Sequence, residues 1–67
     1  METPLGNLKE GDKFYFAHST SRAEEYDRFI VVGHWEAPLV GAFVAVQNDR
    51  YPGGHTDHRP TRPVYPV

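Results

Sequence analysis

Two runs of aromatic and β-branched residues, YDRFIVVGHW at 26–35 and LVGAFVAVQ at 39–47, alternate with a period of two rather than 3.6. That spacing specifies extended strands whose successive side chains point to opposite sides of a sheet. The EAP stretch between them reads as a turn, because Pro38 cannot continue a ladder, and Gly41 reads as a bend or bulge. A shorter run, KFYFAH, places Phe14 and Phe16 on one side with Lys13 and Tyr15 on the other, which predicts a first strand. The chain is therefore expected to be all-β or mostly β, a small barrel of four or five strands.

Pairing the two long strands through Glu36–Pro38 sets Val44 opposite Val31, Val46 opposite Phe29, Phe43 opposite Val32 and Ala45 opposite Ile30. Both faces then come out apolar. One carries Phe14, Phe16, Ile30, Val32, Phe43 and Ala45; the other carries Tyr15, Phe29, Val31, Trp35, Val40, Val44 and Val46. A chain of 67 residues has little left to cover a second apolar face, and a domain of this size buries only roughly 60% of its unfolded surface. Either the chain ends fold over that face or a partner does. Cysteine is absent, so disulfides and thiolate zinc sites cannot supplement the core, whereas histidine-bound metal or self-association would.

The remaining segments give a single domain over 1–67. Residues 1–12 form a lead-in, with Leu5 and Leu8 running into a Gly11–Asp12 turn. In STSRAEE, Ser21 followed by Glu24 fits a helix-capping box, and so short a stretch is expected to be either one turn of helix or a loop. NDRYPGG concentrates turn formers, and residues 55–67 are expected to be a loop and an extended arm with Pro60, Pro63 and Pro66 spaced by three. No basic leader precedes an apolar run and no stretch has the length of a membrane span, so the sequence reads as cytoplasmic.

The opening pattern Leu8-x-x-Gly11-Asp12-x-Phe14, the valine-rich strands and the terminal Val64-Tyr65-Pro66-Val67 resemble small SH3-like barrels found as short proteins of bacteria and phages. The resemblance implies a fold and transfers no catalytic or binding residue. By analogy it suggests a phage-encoded modulator acting on a host protein in the host cytoplasm.

Four constellations are candidates for function. His55, Asp57 and His58 have the donor chemistry of a divalent metal site, but Gly53, Gly54 and Pro60 oppose the helix that would align an H-x-x-H pair, so solvated loop histidines are the favoured reading and no cofactor is inferred. The proline-spaced tail could present a polyproline II edge to another protein; lying across its own sheet, with Val64, Tyr65 and Val67 covering apolar surface, is favoured over that role. Tyr15, Phe29, Val31, Trp35, Val44, Tyr51 and Tyr65 are the expected protein interface, since aromatic anchors dominate such contacts. Arg50, Arg59 and Arg62 form the alternative, a nucleic-acid surface with tyrosines to stack on bases. The formal charge of −2 counts against that alternative. The charge is uneven: residues 1–36 carry seven acids and four bases, residues 37–67 two acids and three bases.

Catalysis finds no support. His18 and Ser19 are neighbours whose side chains diverge on a strand, and His34 with Glu36 lacks a third group. The glycine-containing stretches also lack the strand-to-helix setting of a phosphate loop, and no small-molecule substrate is indicated. The sequence thus favours a non-enzymatic protein-interaction module, acting on another protein or as a homo-oligomer.

Overall fold

The computed structural model describes residues 1–19 and 21–67. The two long apolar runs form β3 (Phe29–Ala37) and β4 (Gly41–Asn48), an antiparallel hairpin. KFYF forms β2 (Lys13–Phe16), and short strands complete the set: β1 (Thr3–Pro4), β5 (Thr56–His58) and β6 (Pro63–Pro66). A 3₁₀ turn over Leu5–Asn7 and a single helix α1 (Arg22–Tyr26) are the other elements. All pairings are antiparallel, in the order β1-β6-β2-β3-β4-β5. The all-β expectation holds, while the expected closed barrel does not: β1 and β5 stand at opposite ends of an open sheet. Closure needs two edge strands long enough to pair, and these have two and three residues.

One end of the β3–β4 hairpin matches Phe29 with Asn48 and Val31 with Val46; the other matches Gly33 with Ala45 and Trp35 with Phe43. The register changes between Val31 and Gly33, so Val32 is the extra residue of a β-bulge. The expected partners Val44 opposite Val31 and Val46 opposite Phe29 are thus displaced by two residues. The connection is Pro38–Val40, closed by the Val40 N–H donating to the Ala37 carbonyl, rather than Glu36–Pro38. Gly41 opens β4 at φ 102°, and the bulge expected there falls beside Gly33 instead.

Phe14 pairs with Phe29, which fixes the faces. Phe14, Phe16, Phe29, Val31, Val44 and Val46 point inward together with Leu5, Leu8 and Val64, and this set is the core. The three phenylalanine rings pack with centroids 5.0–6.1 Å apart, Phe16 edge-on to both others. The two apolar faces drawn from the sequence had joined Phe14 and Phe16 to Ile30 and Val32; the observed register joins them to Phe29 and Val31. A fully packed inside results, and a mixed outer face built on Tyr15, Ile30, Trp35, Phe43 and Tyr65.

The proline tail is a strand inside the sheet, between β1 and β2, and not an edge arm. The Pro63 carbonyl accepts from the Ala17 N–H, and the Val67 N–H donates to the Lys13 carbonyl, so odd-numbered residues carry the ladder to β2. Val64 and Pro66 face β1. Because β1 spans only Thr3–Pro4, opposite Val64 and Pro63, the missing amide of Pro66 meets no ladder. Residues 55–58 had been read as loop; Thr56–His58 is instead a polar edge strand on Val44–Val46.

Candidate functional site

Strand alternation sorts the candidate residues by face. On the inner side of β5, His58 packs on the Phe16 ring at 5.0 Å and takes two hydrogen bonds. Its Nδ1 lies 2.8 Å from Arg62 Nη1 and its Nε2 2.8 Å from Thr56 Oγ1. A guanidinium only donates, so Nδ1 must accept, which makes His58 neutral with its proton on Nε2, donated to Thr56. Burial and the adjacent Arg62 charge hold its pKa below the ordinary range, against smaller opposing effects of Glu24 and Asp57. Arg62 also pairs with Glu24 of α1 through Nη2–Oε1 at 2.5 Å and lies 4.0 Å over the Phe16 ring. Ser21 caps α1 by accepting from the Glu24 N–H at 3.1 Å. Only half of the expected capping box forms, since the Glu24 carboxylate turns to Arg62.

Asp57 points outward. Its Oδ1 accepts from Trp35 Nε1 at 2.9 Å, which lays the indole across β4, stacked on Phe43 at 4.7 Å and 18°. Arg59 covers Phe43 at 4.3 Å and donates to the Val40 carbonyl. The would-be metal ligands are therefore divided between faces: His55 approaches Asp57 to 3.8 Å on one side, and His58 is engaged on the other. Among the described residues no group of three His, Cys, Asp or Glu side chains is arranged to hold a metal ion.

Of the seven expected interface residues, Tyr15, Trp35, Tyr51 and Tyr65 are exposed, whereas Phe29, Val31 and Val44 are buried in the core and correct that expectation. The pairing of Phe14 with Phe29 separates them from Tyr15, and the bulge at Val32 separates them from Trp35. Tyr15 and Tyr65 are direct cross-strand partners, 39% and 41% exposed. Val32 faces outward next to the inward Val31, and the bulge brings Trp35 onto the same face, at 37% and 42% exposure. At the hairpin tip Leu39 is 99% exposed. Val32 and Leu39 escaped the sequence-based interface; Gly33 directly after two valines was the available signal for a bulge.

The arginines proposed for nucleic acid are mostly engaged within the fold. Arg62 is clamped by Glu24, Phe16 and His58, Arg59 is tied to Phe43 and Val40, and Arg50 rests 5.2 Å over Tyr51. His34, offered as half of a proton-relay pair, has Nε2 2.8 Å from the Leu8 carbonyl, and so ties the hairpin to the lead-in. Its Nε2 is the donor there.

A shallow cleft of about 650 Å³ opens at the β2–β6 end, lined by Tyr15, Phe16, Ala17, His18, Ser19, Glu25 and Tyr65. His18 Nε2 lies 3.0 Å from Glu2 Oε2 at its rim. Together these features define a small all-β domain with an open antiparallel sheet, a packed inner face and a half-exposed aromatic outer one. Comparison with protein-family models, curated proteins and solved structures finds no match for the chain, so the likeness to SH3-like barrels rests on the sequence features named above alone. No helix of the described residues is long and apolar enough to cross a membrane.

Proposed function

We propose that this chain is a non-catalytic protein-binding module that docks through the outer face of its sheet. The observation that carries the reading is the outer face, where the cross-strand pair Tyr15 and Tyr65 at one end and Val32 with Trp35 toward the hairpin tip are each about two-fifths exposed, while the opposite face holds the buried core. Large apolar side chains left at a sheet surface in this way mark contact sites, and tyrosine and tryptophan are the usual anchors. The hydrogen bond to Asp57 fixes the Trp35 ring before any partner arrives, which lowers the entropy lost on binding.

The test compares proteins retained from a host lysate by the native chain and by a Val32→Glu/Trp35→Ala variant whose melting transition is unchanged. A protein held by the native chain and lost with the variant supports the reading, as does self-association that the variant abolishes. Equal retention by both would place the contact elsewhere. The charge of −2 and the internal engagement of Arg59 and Arg62 weigh against a nucleic-acid reading.

A further inference from the structure

The Glu24–Arg62–Phe16 arrangement shows how this scaffold holds a cation. Helix α1 supplies a carboxylate, β2 supplies the aromatic face beneath, and a guanidinium lies between them at 2.5 Å and 4.0 Å. Neighbouring residues repeat these chemistries: Glu25 follows Glu24 on α1, and Tyr15, which precedes Phe16 on β2, points to the other face of the sheet. Both line the 650 Å³ cleft, and Tyr65, the cross-strand neighbour of Tyr15, adds a second electron-rich ring. No lysine or arginine lines that cleft. Among the described residues, the Glu25 carboxylate and both phenol hydroxyls take part in no hydrogen bond or ion pair. Its one basic group, His18, is turned to Glu2.

We infer that the cleft between α1 and the Tyr15–Tyr65 pair receives an arginine side chain of a protein partner, pairing it with Glu25 and stacking it on tyrosine. This rests on the protein-binding reading above and names the partner chemistry at one end of the same face. Arginine suits the site better than lysine, since its planar fork can bond a carboxylate edge-on while its flat face covers a ring. An electron-rich phenol attracts the cation further, and a half-exposed cleft moderates but does not remove both effects.

The experiment titrates the full ¹⁵N-labelled chain with a capped Gly-Arg-Gly-Arg-Gly peptide, and separately with the same peptide carrying citrulline, a neutral isostere, in place of arginine. Shifts centred on Tyr15, Ala17, Glu25 and Tyr65 are expected with arginine and absent with citrulline. Glu25→Gln should weaken the arginine peptide roughly fivefold. Glu10→Gln, an equal change of charge outside the cleft, should leave it within about twofold. Shifts centred elsewhere, equal weakening by the two variants, or equal binding of citrulline would overturn the inference. A partner that requires Trp35 yet is indifferent to Glu25→Gln would overturn it too, while leaving the protein-binding reading intact.

Discussion

At the residue scale, the neutral His58 has a definite consequence for acid stability. Its pKa is depressed in the folded chain, so the stability this supplies is complete above the unfolded value of about 6.5 and is lost as the pH falls from there through the folded value. Denaturant midpoints measured downward from pH 7.5 should therefore decline early, and His58→Asn should flatten that first decline. Asp49 governs a second one. Burial alone would raise its pKa, but hydrogen bonds and charges from Lys13 and Arg28 outweigh this and hold it below the usual carboxylate range. Its contribution persists to about pH 4 and goes below that. Gly6 gives a steric test: a Cβ there would stand 2.7 Å from Pro60 Cβ, beside the bond from the Gly6 N–H to the Pro60 carbonyl. Gly6→Ala should cost about 1–3 kcal/mol by urea denaturation, as overpacking does.

At the scale of elements, period-two alternation was enough to show β2, β3 and β4, whereas the Ser21–Glu24 spacing left a helical turn and a loop both open where the fold forms α1. What the sequence concealed was relational. A bulge is one residue of local geometry that Gly33 after two valines only hinted at, yet it decided that Trp35 shares the outer face with Val32 while Phe29 and Val31 point to the core. Edge strand β5 was hidden for a different reason, since Thr-Asp-His has no apolar face to announce it. Tyr15 and Tyr65 were each legible as candidate contact residues, whereas their adjacency depended on β6 lying beside β2. The position of β6 yields a further prediction. Removing residues 63–67 deletes a strand with partners on both sides and the fully buried Val64, so cooperative unfolding should disappear from the thermal scan. Removing residues 1–3 trims a two-residue edge with no buried side chain and should lower stability by only about 1 kcal/mol.

For the molecule as a whole, nine side chains form the only core among the described residues, so each is a large share of a small total. Leu5→Ala should cost about 2–5 kcal/mol, enough to leave much of the population unfolded at 37 °C, as circular dichroism would show. Leu39→Asp, at the exposed hairpin tip, should leave the midpoint within about 0.5 kcal/mol. The core and the exposed aromatic surface are thus separable by substitution, because the groups that hold the sheet together point one way and Tyr15, Val32, Trp35 and Tyr65 the other. The bond of His34 to Leu8 and the clamp of Arg62 on Glu24 fasten both ends of the sequence to its middle.

The wedge of β6 between β1 and β2 also has a bearing on synthesis. A ribosome delivers Phe14 and Phe16 long before Val64, and until the later segment emerges those rings lack the neighbour that seals them. The nascent polypeptide must stay open, exposed to chaperones and proteases, until residues 63–66 are free to pair, and the sheet is then completed in one late step.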